Sequence, residues 1–486
     1  MGRRGLRLVA LAAVTALALG ACGGANATPQ AGASQSAGAP QAAGSQRPTA
    51  GSVIRWFVGL GSGTTTSQVN AEKAFVSSYN SLNPDGITLK LEVQPSATAY
   101  DVLKSEMAAG NSPDIVGPIG VGERNGFEGL FLDLSSEITK NNYDLKAFPD
   151  GLVNFFNQGK EGQIGLPYLC YPGYIWYNKD AFAKANLPGL PTKVGDTYQG
   201  QPWDWAALGK VAAQLTLDNK GKKSTDTGFD KTNIVKYGMD FQGLDARRIA
   251  SLFGSGSFVN ADGKTAQIPA AWADAFNWYY SAIWTGHYAP SAAVENGVLL
   301  AGGNSMASGN VAMNAAWGQS ISSIAASAST AKVKNWDIGV VPSWKGTTTS
   351  PLDAETFTIT KASRNPDAAF KAMLAIMADT SLMKAYGGLP AKTADQAAYT
   401  ASLDATLAPI FPGIKVSWSV LDEMMAHPAV PSDLENLPGL AQVTEDYTAF
   451  LAKLQANTGL DLKAELTKLQ ATLQADFNGA QPIVSP

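Results

Sequence analysis

The way the hydrophobic period changes between residues 52 and 116 narrows the available folds more than any other feature of the chain. Ser52 to Val58 is a β-rich run (Val53, Ile54, Trp56, Phe57, Val58) that ends in a Gly-Ser-Thr loop, Gly59 to Thr66. Val69, Phe75, Val76, Tyr79 and Leu82 then share one helical face, and Asn83-Pro84-Asp85-Gly86 stops that helix with turn chemistry. Ile87, Leu89, Leu91 and Val93 alternate with Thr88, Lys90 and Glu92, which is the period of a strand. A second helix, about Thr98 to Ala109, carries Val102, Leu103 and Met107 and leads through Gly110-Asn111-Ser112-Pro113 into a short strand, Asp114 to Val116. The order βαβαβ predicts a parallel sheet with right-handed crossovers. Such sheets bind ligands beyond the carboxyl ends of their strands, where the loops Gly59 to Thr66 and Gly117 to Arg124 fall.

Residues 1 to 22 run from Arg3, Arg4 and Arg7 through an unbroken apolar stretch to Leu19-Gly20-Ala21-Cys22. The charged start, the short apolar region and the small residues before the cysteine predict a cleaved lipoprotein export signal, with Cys22 as the lipidated mature N-terminus. Residues 23 to 51 are almost wholly Ala, Gly, Ser, Gln, Pro and Thr. They bring no large apolar side chain to offset chain entropy and read as a disordered tether. The expected location is therefore extracytoplasmic, anchored by lipid to the cell membrane, by a Sec or a Tat route.

The rest of the 486-residue chain is too long for one compact core and suggests two lobes. Leu166 to Phe182 is β-rich and placed to pass from one lobe to the other. Helices are expected at Pro202 to Thr216, Ile268 to Thr285, Val443 to Asn457 and Leu462 to Phe477, and strands near Tyr237 to Phe241, Val311 to Met313 and Asp337 to Val341. Asn365-Pro366-Asp367 opens a further helix to about residue 379, with a capping side chain, proline in the first turn and a carboxylate at the positive end of the dipole.

Composition excludes several function classes. The formal net charge is -4, more negative once the leader arginines are gone, and no dense basic cluster occurs, so nucleic acid is not an expected partner. With Cys22 committed to lipid only Cys170 remains, which leaves no intramolecular disulfide and reads as a buried thiol. Two histidines, His287 and His427, and no cysteine pair remove the usual zinc and Ser-His or Cys-His constellations, so neither a metal nor a cofactor is expected. Gly263-Lys264-Thr265 lacks the first glycine of a phosphate-binding loop, and no G-x-S-x-G elbow is present. Forty acidic residues keep a glycoside hydrolase open, since it needs only two suitably spaced carboxylates. Glu123, Asp353 and Glu355 are acidic loop or strand candidates, and Trp317 follows a predicted strand end beside small residues.

The order of segments resembles family 1 extracellular solute-binding proteins, which serve sugar ABC importers. The residues that carry the likeness are IRWFVG at 54 to 59, GNSPDIV at 110 to 116, LPYLCYPGYIWYNKDAFAKANLP at 166 to 188, GNVAMNAAWG at 309 to 318, WDIGVVPSWKG at 336 to 346, ETFTITKASRNPDAAFKAMLAIM at 355 to 377 and GGLPAKT at 387 to 393. The resemblance implies an α/β, two-lobe periplasmic-binding-protein (Venus flytrap) fold with three interlobe crossings, near 166 to 174, 353 to 360 and 388 to 393. Lobe 1 would take residues 52–168 and 357–390, and lobe 2 would take 169–356 and 391–486, which sets the helix from 365 beside the early sheet.

By the same resemblance the protein would bind a carbohydrate, a mono- or oligosaccharide, without chemistry. It would work as a monomer and deliver that ligand to ABC permease subunits. The family's sugar contacts carry over to Gly61, Ser62 and Thr64, to Glu123 and Arg124, and to Tyr171, Trp317 and Glu355. Gly117-Pro118 and Tyr171 depart from the aromatic and the carboxylate of maltose-binding relatives, so maltose itself is not implied. Trp317→Ala is expected to weaken sugar binding by about tenfold or more with little loss of melting temperature.

Overall fold

The computed structural model describes residues 51–82, 85–157, 161–301, 304–318, 331–435 and 437–480. The leader, Cys22 and residues 23–50 of the tether lie outside the described residues. From Ser52 the chain forms β1 (Ser52–Val58), α1 (Thr66–Leu82), β2 (Ile87–Val93), α2 (Ser96–Ala108) and β3 (Ile115–Gly120). β1 lies between β2 and β3 and pairs with both in parallel, in register from Ser52 opposite Ile87 to Val58 opposite Val93. β3 is longer than the sequence suggested and runs through Gly117-Pro118. An antiparallel strand, Leu352–Ile359, pairs along it, and the register slips between Thr356 and Thr358, where Pro118 has no N–H to give.

β4 (Leu166–Asn178) is buried along its whole length and, at about 43 Å, is long enough to serve two bodies. Its first half pairs with Leu352–Phe357 and with Leu389–Pro390. Its second half, from Gly173, pairs with Met313–Trp317 and Trp336–Gly339. The side chains follow the same division. Tyr168 and Tyr171 pack with Ile54, Trp56 and Phe370, whereas Tyr174 and Trp176 pack with Trp205, Trp272 and Trp336. Two further segments change core in the same way: Ala354 and Phe357 lie in different cores, as do Tyr386 and Leu389. The result is an α/β molecule with two cores stitched by three segments.

The helix expected from Asn365 runs Pro366–Ala378 and packs on β1, β2 and the strand Leu352–Ile359 through Ala369, Phe370, Met373 and Ile376. Asn365 does stand at the N-cap, but its side chain makes no capping hydrogen bond. The charge of the first turn is used elsewhere, in an ion pair between Asp367 and Lys140. The strand expected near Tyr237 to Phe241 is reduced to isolated bridges, Tyr237 to Val311 and Asp240 to Asn314. One reason is that the Gly238 N–H donates to Thr216 Oγ1 instead of to a neighbouring strand. Helices Thr393–Leu407 and Ser419–Met425 were not foreseen; the first buries only Gln396, Tyr399 and Leu407, too few for a clear period. Cys170 is free and buried. No described helix is long and apolar enough to cross a membrane.

Candidate functional site

A cavity of about 500 Å³ opens at the carboxyl ends of β1 and β3. One wall comes from Gly61, Ser62, Thr64 and Gln68 after β1, from Gly120 at the end of β3, and from Gly122 and Glu123 after it. The opposite wall comes from Asp245, Arg248 and Leu434, and Asp353 and Glu355 lie between.

The first wall is fixed by backbone bonds. Gln68 Oε1 accepts from the N–H groups of Gly63 and Thr65 at 3.0 and 3.1 Å, and Gly120 N–H donates to the Leu60 carbonyl at 2.9 Å. Ser62 N–H donates to Glu355 Oε1 at 2.5 Å, and Tyr171 Oη–H donates to Glu355 Oε2 at 3.2 Å. Glu355 is only 4 % exposed, so it ties the loop after β1 to the strand between the two walls. Gly61 must be glycine here, because a Cβ would stand 2.7 Å from Glu355 Oε1 and 2.9 Å from the Pro118 carbonyl. Gly63, at a φ of 120°, adopts a conformation other residues resist.

The second wall is fixed by charge. Asp245 caps the short helix Ala246–Ser251 by accepting from Arg248 N–H at 2.9 Å. Arg248 Nε–H donates to Asp433 Oδ2 at 2.9 Å, and the guanidinium carbon lies 5.4 Å from the centre of the Trp317 ring. The terminal amino groups of Arg248 have no hydrogen-bond partner among the described residues. Asn125 Nδ2 donates to the Leu434 carbonyl at 2.6 Å and joins the two walls at one end.

The electrostatics follow from burial. Burial pushes the Glu355 carboxyl up to about 7; the nearby Asp353 adds to the rise and the donors on Ser62 and Tyr171 oppose it. Burial also raises Glu123 and Asp245, with Asp353 and Asp433 respectively adding to the effect. Burial works against the charge on Arg248, yet Asp433 and Asp353 together hold its pKa above the ordinary value. Four carboxyl groups and one anchored guanidinium therefore surround the space. That arrangement offers directional acceptors and one planar donor to a ligand rich in hydroxyl groups.

Of the residues singled out from sequence, Gly61, Ser62, Thr64, Glu123, Asp353 and Glu355 line this cavity together. Tyr171 stands one layer back, with its hydroxyl bonded to Glu355 and 3.3 Å from Ser62 Oγ. Trp317 also stands behind the wall, with its ring under Arg248. Arg124 turns elsewhere: it lines a neighbouring cavity of about 460 Å³ with Glu128, Glu161 and Glu435, and its guanidinium lies 5.7 Å from the Phe156 ring centre. Burial pulls its pKa down to about 10. Sequence reasoning passed over Gln68, Asp245, Arg248 and Leu434. The one local signal for the second wall was the acid at Asp245 three residues before Arg248, a capping pattern on a helix too short to show a period.

No curated protein sequence matches the chain. Among solved structures, UspC from M. tuberculosis superposes with a TM-score of 0.67 at 20% identity, over 87% of this chain and 100% of that one. A sugar transporter from Rhizobium etli in an open conformation gives 0.66 at 18% identity, over 87% and 99%. The sugar-binding protein MalE from Xanthomonas citri gives 0.63 at 13% identity, over 88% and 98%. At these identities the likeness carries the fold alone, a two-lobe α/β architecture. The model of the bacterial extracellular solute-binding proteins matches residues 61–374, which include the first wall, β4, the helix of Arg248 and the strand of Asp353 and Glu355, and the chain belongs to that family.

Proposed function

We propose that the protein is a membrane-tethered receptor that captures a sugar or small oligosaccharide between its lobes and hands it to an ABC import permease. The observation that carries this reading is the cavity of about 500 Å³, where Glu123, Asp245, Asp353 and Glu355 face Arg248. Its volume is in the range of small-molecule sites, and its groups suit hydroxyls better than an apolar body. The R. etli and X. citri structures, described as a sugar transporter and a sugar-binding protein, support a sugar as the ligand.

In this reading residues 52–168 and 357–390 form one lobe and residues 169–356 and 391–486 the other. Cys22 carries the lipid, residues 23–51 act as the leash, and the body works as a monomer without cofactor or metal. The loop residues Gly61, Ser62 and Thr64 contact the sugar together with Glu123 and Asp353, while Glu355 and Tyr171 position that loop. Arg248, held by Asp433 and stacked on Trp317, supplies donors from the other lobe. A ligand that touches both walls favours the closed arrangement by its extra affinity for it, and the permease recognises that arrangement.

One feature favours a second reading. A carboxyl raised to about 7 at Glu355, with the carboxyl of Asp353 nearby, suits the general acid that a glycoside hydrolase needs. A thermal-shift screen against mono- and oligosaccharides, with each sugar analysed afterwards, separates the two. A shift with one sugar class, recovered intact, supports the receptor. Release of shorter sugars would establish the hydrolase, and a flat panel would remove sugars as the cargo.

A further inference from the structure

The second core carries another cavity, of about 460 Å³, none of whose lining residues belongs to the cleft. Four lysines converge on it from separate segments: Lys184, Lys223, Lys236 and Lys332. Asp180 is the one carboxylate among its lining residues, and none of the four lysines forms an ion pair among the described residues. Lys236 is half-buried, and its ammonium donates to the Gly309 carbonyl and to Asn310 Oδ1, both at 2.7 Å. Burial lowers its pKa, and the charges of Lys184 and Lys332 lower it further. Three cations held this close in a chain of net charge -4 make a focus of unneutralised positive potential. The C-terminal end of helix Lys179–Lys184 accounts for the placement of Lys184, but it does not account for the other three.

We propose that this cavity binds a phosphate monoester dianion that carries a small apolar group. The lysines act as point charges, which suits a phosphate, and the cavity lacks the arginine fork that recognises a planar carboxylate. Leu215, Leu217, Val311 and Ala312 give the site an apolar side for the ester group. The same chemistry would be met by a free phosphate ester or by the headgroup of an anionic lipid. A cavity of about 460 Å³ has the size of a small-molecule site, which favours the free ester.

Calorimetric titration of the whole protein with phenyl phosphate at fixed ionic strength tests this directly. Saturable binding is expected, weakened by about tenfold or more in the double variant Lys184→Gln/Lys332→Gln, whose two positions are exposed and tolerate change without unfolding. Asp353→Ala, in the cleft, should leave the phenyl phosphate affinity unchanged. Absence of saturable heat at about 10 mM, equal affinity in the double variant, or loss of binding in Asp353→Ala would each overturn the site. So would binding confined to phosphatidic acid vesicles with none to soluble phenyl phosphate, which would assign the lysines to a membrane surface.

Discussion

The two walls of the cleft are held in place by opposite means. The wall after β1 and β3 is built of glycines and backbone N–H groups, held by Gln68 and Glu355, and it places main chain against the ligand space. The facing wall presents side chains, Asp245 and Arg248, locked by a charge pair to Asp433. The first kind of wall should be sensitive to a single added methyl group. The second should be sensitive to the loss of a single charge. The cleft thus has one face defined by shape and one by electrostatics.

The largest expected effect comes from Arg248→Ala. Asp433, whose side chain is fully buried, would lose its only ion-pair partner among the described residues, at a cost of about 3–5 kcal/mol in denaturant unfolding. A loss below about 1 kcal/mol would mean that the second wall does not rest on that pair. Gly61→Ala should come next. The added Cβ must displace Glu355 Oε1 or the Pro118 carbonyl, so about 1–3 kcal/mol of stability and at least about tenfold in sugar affinity should go, read by denaturant unfolding and by calorimetry. Unchanged affinity would show that the wall tolerates a shift in shape.

The shape-defined wall also contains or leans on two buried acids, which set a pH dependence. Glu355 is raised to about 7, and Glu72, beneath Gly63 and bonded to Tyr386, is raised by burial to about 8. In both, the folded state holds its proton more tightly than the unfolded chain. Their contribution is therefore complete below the ordinary value of 4.5 and is lost as pH rises through about 7 and then about 8. The double variant Glu72→Gln/Glu355→Gln should flatten this part of the stability profile; a profile as steep as that of the parent would remove the two acids as its cause. The smallest effect is expected at Thr64→Ala, which deletes an exposed hydroxyl contact with Ser96 and should change unfolding free energy by no more than about 0.5 kcal/mol.

The same contrast explains what could be read from the sequence. The first wall follows directly from a local pattern, since strand and helix periods place the loops after β1 and β3 at the carboxyl edge of a parallel sheet. Gly61, Ser62, Thr64 and Glu123, expected as contacts from the resemblance and lying in those loops, line the cavity. The second wall joins residues 245 to 248 with residues 433 and 434, nearly two hundred positions later, through an ion pair and a capping carboxylate. No period in either segment announces that meeting. Arg124 shows the limit of carrying a position over by resemblance: the short helix Val121–Arg124 turns Glu123 into the cleft and Arg124 into the neighbouring cavity. The helix Thr393–Leu407 escaped notice because its buried positions are few, and the bridges at Tyr237 and Asp240 fell short of a strand because a side chain took a backbone donor.

We propose that a sugar binds between these two walls. The most direct test is titration calorimetry of the sugar that gives the largest thermal shift against the parent protein and against Asp353→Ala, a change on the strand between the walls. Saturable binding by the parent is expected, weakened by about tenfold or more in the variant while its melting temperature stays within a few degrees. Equal affinity in the two proteins would place the sugar outside the cleft.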